Sequence, residues 1–335
     1  MKRVLSVLLA VLLVLAMTAC GTQNEDPQSG TNDDVQSTGD AQYTVGIIQL
    51  SEHSALDSAR EGFIAALADN GLVDGEHLEI DFQNAQNDQS NLGTIADRFV
   101  SKDVDLVLAI ATPAAQTMAG KTTEIPIIAT AVTDFAEARL VNDNDNPGTN
   151  VSGTSDMNPI KEQIELVKQL APDCQTVGVC YNSGEDNSVL QAELARAEIE
   201  AQGMSYVEVT VSSTNDVQQA ITTLASQCDA IYLPTDNTLA SSIPVVYGVV
   251  AETKTPVIGG ESGMVDSGAL ATVGINYYDL GYQAGEMAIR VLLEGADIST
   301  MPVEHQTEYE YTFNLDTAEA IGLTIPEDLL ALAGE

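Results

Sequence analysis

Glu52 and His53 stand side by side where the apolar run "TVGIIQL" turns polar, an acid beside the one side chain that titrates near neutrality. Such a pair does general acid/base work when a third group orients the base and a nucleophile or metal lies within reach. The chain has 3 histidines. His77 opens a strand and His305 lies in the tail, so neither is expected to join His53. The sequence contains no His/Cys/Asp cluster with metal spacing, no GxSxG and no phosphate-binding glycine loop, and "SGEDNS" is a turn. Catalysis is therefore not expected, and no metal or cofactor is implied. Glu52 and His53 read instead as the rim of a binding cleft or, more plainly, as the start of a helix.

Five further stretches share the character of "QLSEHS": "AIATPAAQ", "ATAVTD", "CYNSGEDNS", "LPTDNT" and "GGESG" each turn polar where an apolar run stops. The elements around them explain why. From Tyr43 short apolar strands alternate with amphipathic helices. After "TVGIIQL", Leu56, Ala59, Phe63 and Leu67 mark one helical face that stops at Asn70-Gly71. "HLEIDF" alternates like a strand, Leu92, Ile95 and Phe99 mark a helix, and "VDLVLAIA" is the continuous apolar run of a strand buried on both faces. Thr112-Pro113 then opens a helix, and "IPIIATAV" is a fourth strand.

Beyond an Asn/Asp/Gly-rich loop at 142–148, "TNVSGTSD" leads to a helix with Ile160, Ile164, Val167 and Leu170 inward, and the plan restarts at "TVGVCY". Helices are expected from Asn187 to Gln202, Asp216 to Ser226 and Leu239 to Thr253, with strands between them. The fold class is α/β, two doubly wound, Rossmann-like lobes joined by a hinge of several strands. Lobe 1 is expected over 43–153 plus 275–300, and lobe 2 over 154–274 plus 301–335. In such sheets ligands sit outside the carboxyl ends of the strands, which is where the polar stretches fall.

Met1-Lys2-Arg3 precedes an apolar run from Val4 to Met17, too short to span a bilayer and suited to a secretory signal. It ends Leu15-Ala16-Met17-Thr18-Ala19-Cys20-Gly21, which resembles a bacterial lipoprotein processing site, with Met17 where Leu is commoner. Residues 1–19 are thus expected to be removed and Cys20 lipidated. Residues 20–42 read as a polar tether of roughly 25 Å reach. A formal charge of −38 over 335 residues excludes nucleic acid as a partner and favours a zwitterion or cation over an anion. Cys174, Cys180 and Cys228 remain. In a sheet ordered 2-1-3-4, Cys174 and Cys228 precede neighbouring strands at one edge, so a disulfide between them is geometrically reasonable. Cys180 lies at the far end of its strand.

"QLSEHSALDSAREGF", "ATPAAQ", "TAVTD", "SGTSD", "YNSGEDNS", "LPTDN" and "GINYYDLGYQAGEMA", in that order from about Tyr43 to the C-terminus, resemble the substrate-binding lipoproteins of ABC importers in the tryptophan/tyrosine uptake group. The resemblance implies a type I periplasmic-binding-protein architecture. It also implies a monomer lipid-anchored to the outer face of the cell membrane, and delivery of a small ligand to a permease and its ATPase. A ligand-sensing subunit with the same lobes is the alternative.

An amino acid's carboxylate needs N–H and hydroxyl donors, which a helix N-terminus such as Thr112-Pro113-Ala114-Ala115 supplies along with its dipole, Pro113 itself carrying no N–H. Its ammonium needs carboxylates, for which Asp236 and Glu185 are first candidates and Glu261 next. Ser51, Thr133, Ser155, Asn182, Ser188 and Asn237 are neutral candidates, with Asp156 and Thr235 in the same motifs. Asn187 and Asn158 read as helix caps. An apolar side chain points to Tyr181, with Phe135 weaker and Tyr277 and Tyr278 assigned to the hinge.

Overall fold

The computed structural model describes residues 42–333. The expected signal peptide, the lipidated Cys20 and the tether lie outside the described residues. Within them the chain alternates strand and helix: β1 (Tyr43–Gln49), α1 (Ser54–Asp69), β2 (Leu78–Asn84), α2 (Gln89–Lys102), β3 (Leu106–Ile110), α3 (Thr112–Ala119), β4 (Ile127–Val132) and β5 (Val151–Ser155). The second round runs α4 (Ile160–Leu170), β6 (Thr176–Asn182), α5 (Asp186–Ala201), β7 (Ser205–Val211), α6 (Val217–Ala225), β8 (Ala230–Leu233), α7 (Asn237–Ala240), α8 (Ile243–Thr253), β9 (Val257–Gly259), α9 (Ser262–Asp266) and β10 (Ala271–Gly274). The chain closes with α10 (Tyr277–Leu292), β11 (Glu304–His305), β12 (Glu310–Phe313), α11 (Leu315–Ile321) and α12 (Glu327–Leu330).

The strands form two 6-stranded sheets, ordered β11-β5-β4-β3-β1-β2 and β12-β10-β9-β8-β6-β7. Every pairing is parallel except β10 with β12. Each sheet thus carries the doubly wound order, with β1 and β6 in equivalent central places. The chain passes between the sheets after Ser155, after Gly274 and after His305. Because β5 reaches Ser155 and β11 pairs Glu304 with Thr154, the first and third crossings fall a few residues later than expected.

Sequence pattern explains the layering. β3 and β4 are buried along their whole length, as strands covered by helices on both faces must be. In the second sheet Val177, Val179 and Tyr181 of β6 pack on one face and Cys180 on the other. That alternation bears on the disulfide the sequence left possible between Cys174 and Cys228, which the structure does not form. Cys174 belongs to the apolar cluster on the first face and Cys228 to the cluster on the second, and all three thiols are free. The expected 239–253 helix is two, broken at Ser241-Ser242, because Ser242 precedes Ile243-Pro244 and the proline sits in a new first turn.

Helices α1 and α10 approach closely enough to need glycines. A methyl group on Gly281 would stand 1.8 Å from the Ala59 carbonyl oxygen, and one on Gly62 2.0 Å from that of Tyr278. Both obstacles are backbone, so the helices would have to separate. Gly281→Ala is therefore expected to destabilise the fold by roughly 1–3 kcal/mol, lowering Tm by about 2–8 °C in a circular-dichroism melt.

Candidate functional site

The carboxyl ends of both sheets face one another across a narrow, partly enclosed cavity of ≈ 20 Å³. The first lobe contributes His53, Ala55, Leu56 and Ala131; the second contributes Asn187, Thr235, Asp236, Asn237, Ala240 and Glu261; Asp156 and Tyr277 stand at the crossings between them. That volume is room for about one water molecule, so the lobes must part further to admit a larger solute. A larger open cleft of ≈ 630 Å³ lies at the amino ends of β4 and β5, beside Arg139, Glu124 and Asp297. Those three side chains are exposed, whereas the narrow cavity gathers buried polar groups.

Local structure aims these groups. His53 is the N-cap residue of α1 in extended geometry and makes no cap bond with its ring, which reaches across to Asn237: Nε2 lies 3.2 Å from Asn237 Oδ1. Ala131 has φ 55, beside a register shift between β4 and β5, so the end of β4 turns out of the sheet. A left-handed alanine costs about 1 kcal/mol, and such strain gathers at ligand sites. Ala111, with φ 83, makes the same departure at the end of β3.

The carboxylates set the electrostatics. Asp156 accepts from Thr133 Oγ1 at 3.1 Å and from the Tyr277 hydroxyl at 2.9 Å. Asp236 accepts from the Asn182 and Leu239 amides at 2.6 and 2.8 Å, and so caps α7. Glu261 caps α9 through the Gly263 amide by one oxygen, while its Oε1 is buried without a partner. Burial raises all three above the usual carboxylate range, Glu261 to about 7, and the neighbouring Glu185 raises Asp236 further. Among the described residues no lysine or arginine is paired with any of them. Burial lowers the His53 imidazole below its ordinary value, so the ring is neutral at physiological pH.

Of the residues singled out from sequence, His53, Asp156, Thr235, Asp236, Asn237 and Glu261 line the cavity. Thr133 and Ser155 stand directly behind it, Ser155 Oγ donating to the Thr133 carbonyl at 2.8 Å. Ser51 and Thr112 are buried at neighbouring strand ends with hydroxyls that have no partner, next to Pro113 and Ala114 at the start of α3. Asn182 and Ser188 flank Asp236. Glu185, a first candidate for an ammonium, turns to its own lobe instead: it accepts from Asn237 Nδ2 at 2.6 Å and from the Thr238 hydroxyl at 3.0 Å. Glu52 is exposed on an outer cleft, so no acid/base pair forms with His53.

Tyr181 and Phe135 point into the cores of their lobes, since strand alternation and a turn after β4 bury them there. Sequence reading missed Asn187, whose Oδ1 is buried and unpartnered; Glu185 holds the cap position, which frees the next turn for the cavity. It also placed Tyr277 only at the hinge. The phenol serves both, and the Asp–Tyr pairing across 121 residues has no sequence signal.

Residues 44–335 match the family described as ABC transporter substrate binding protein. The chain belongs to that family. Its members are extracytoplasmic solute-binding proteins and not enzymes, and the two lobes have the type I periplasmic-binding-protein architecture. The family member named tyrosine-binding protein from Clostridioides difficile is 44% identical over 322 residues, 96% of this chain and 93% of that one. A crystal structure of an ABC domain from Streptococcus pneumoniae in complex with L-Trp is 39% identical, covering 88% of this chain and 99% of that chain, with a TM-score of 0.84. A ligand-free, open substrate-binding protein with adhesive properties from Clostridium difficile is 45% identical over 85% of this chain and 97% of that chain, yet its TM-score is 0.67. The more identical chain thus superposes less well on the present structure than the L-Trp complex does. The present arrangement is closed, held across the cleft by His53–Asn237, by Gln116 Nε2 donating to Asp186 at 2.9 Å and by Gln191 Nε2 donating to Thr133 Oγ1 at 3.0 Å.

The buried acids give a pH signature. A carboxyl raised from 4.5 to about 7 binds its proton more tightly folded than unfolded, so the stability it confers is complete below pH 4.5 and is lost as pH rises through 7. His53, lowered from 6.5, acts in the opposite sense below that value. Comparing variants isolates Glu261. Without ligand, Glu261→Gln is expected to melt with the wild type at pH 5 and at least about 2 °C above it at pH 8 by differential scanning calorimetry.

Proposed function

We propose that this chain captures an aromatic amino acid as its zwitterion and delivers it to an ABC permease driven by its ATPase, working from the outer face of the membrane through lipid on Cys20. The observation that carries this reading is the set of buried polar atoms without partners on both sides of the cleft. Ser51 Oγ, His53 Nδ1 and Thr112 Oγ1 belong to the first lobe, and Asn187 Oδ1 and Glu261 Oε1 to the second. Unpaired polar atoms of this kind are expensive to bury, by about 1–3 kcal/mol each, and a bridging solute relieves that cost in both lobes together.

Chemistry narrows the solute. Asp156, Asp236 and Glu261 form an acidic wall that an ammonium group neutralises; the unpartnered hydroxyls of Ser51 and Thr112 and the amino end of α3, at strand ends outside the cavity's own lining, would offer donors to a carboxylate once the lobes part. Ala55, Leu56, Ala131 and Ala240 leave an apolar wall for a side chain. Relatives named for tyrosine or holding L-Trp support an aromatic one. Because the ligand touches both lobes, it favours the closed population by its differential affinity for that state.

Isothermal titration of residues 43–335 tests this. Tryptophan, tyrosine or phenylalanine is expected to bind, and the deaminated analogue of the best ligand to bind at least about tenfold more weakly. Glu261→Gln is expected to weaken the amino acid by a similar factor while still melting cooperatively. Binding of none of the three amino acids, or equal affinity for the deaminated analogue, would contradict the reading. For the anchor, Cys20→Ser is expected to release the protein from membranes into the medium, as an immunoblot of cell fractions would show.

A further inference from the structure

The His53 ring has a fixed tautomer. Asn237 Nδ2 donates to Glu185 Oε2 at 2.6 Å, which turns the amide oxygen of Asn237 toward the imidazole, 3.2 Å from Nε2. An amide oxygen only accepts, so Nε2 carries the proton. In a neutral imidazole the other nitrogen is then a bare acceptor. That atom, Nδ1, is buried with no partner, in a residue that lines the cavity beside Ala55 and Leu56.

The neighbours of His53 decide what the acceptor is for. A ligand carboxylate is excluded, because it brings another acceptor to a lone pair. The ligand ammonium has stronger partners in Asp156, Asp236 and Glu261 of the same cavity. Of the ligand's own groups, what remains is a donor carried on the side chain, and Ala55, Leu56 and Ala240, which line the cavity together with the polar Asn237 and Glu261, leave an apolar face for an aromatic ring that ends in one. We propose that His53 Nδ1 is a specificity-determining acceptor for the phenol O–H or indole N–H of the ligand, so that the site selects donor-bearing aromatic amino acids over phenylalanine. The inference rests on the aromatic amino-acid reading above. A buried site that hydrogen-bonds a substrate donor rejects the analogue lacking it, because the site's own polar atom is then left unpaired.

The interlobe bond made by Nε2 complicates a simple deletion, so two replacements are needed. Glutamine places its terminal amide near the Nε2 position and can keep the bond to Asn237 while losing the acceptor. Asparagine places its amide near the Nδ1 position and does the reverse. Titration of wild type, His53→Gln and His53→Asn with L-tryptophan, L-tyrosine and L-phenylalanine gives the ratio of affinities, which is insensitive to a uniform change in closure. In the wild type, the tighter of tryptophan and tyrosine is expected to bind at least about tenfold better than phenylalanine, equivalent to ~1.4 kcal/mol. That ratio is expected to fall to within about threefold of unity in His53→Gln and to survive in His53→Asn.

A wild-type ratio near unity overturns the proposal, as does a His53→Gln protein that weakens all three ligands by one factor and keeps their ratio. Loss of the ratio in both variants also overturns it, assigning the effect to the ring and not to the acceptor. If the wild type binds none of the three, the aromatic reading fails first and takes this inference with it.

Discussion

Four carboxylates, Asp156, Glu185, Asp236 and Glu261, are buried at the meeting of two sheets without a basic partner among the described residues. Such a grouping is tolerable only if the acids are protonated, capped by amides or neutralised by a cation from outside. The chain uses the first two devices. Asp236 and Glu261 cap short helices, Glu185 is saturated by Asn237 and Thr238, and the raised proton affinity of Glu261 makes it largely neutral only well below pH 7. In the proposed reading an ammonium supplies the third.

The doubly wound order is what makes that grouping possible. Strand ends bring amide donors, short helices and polar turns to one edge of each sheet, and three crossings hold the two edges opposite one another. Closure then converts two half-sites into one cavity. The present structure superposes better on the L-Trp complex, TM-score 0.84 at 39% identity, than on the ligand-free, open relative, 0.67 at 45% identity. The hydrogen bonds His53–Asn237, Gln116–Asp186 and Gln191–Thr133 cross the cleft, and a solute that bridges both lobes would add to them.

Much of this is legible in the sequence, and the reasons differ by element. The apolar runs of β1, β3 and β4, the Asn70-Gly71 stop and the repeat of "TVGIIQL" in "TVGVCY" encode the two sheets through periodicity and burial. Polar strand ends pointed to the cavity, and Asp236, Asn237, Glu261 and His53 do line it. What stayed hidden depends on side-chain direction. Tyr181 looked suited to an aromatic slot, but its parity on β6 sends it into the core with Val177 and Val179. The disulfide failed for the same reason, one thiol on each face of a sheet. Asn187 differs from a cap by two residues, a shift no propensity resolves.

The most direct measurement is a crystal structure of residues 43–335 grown with the aromatic amino acid that binds most tightly. The account predicts density between the lobes, with the ammonium in hydrogen-bond reach of Glu261 Oε1 or Asp156 and the carboxylate toward Ser51 and Thr112. A ligand seated in the outer cleft beside Arg139 and Asp297, or one held by a single lobe while the strand ends stay apart, would contradict it.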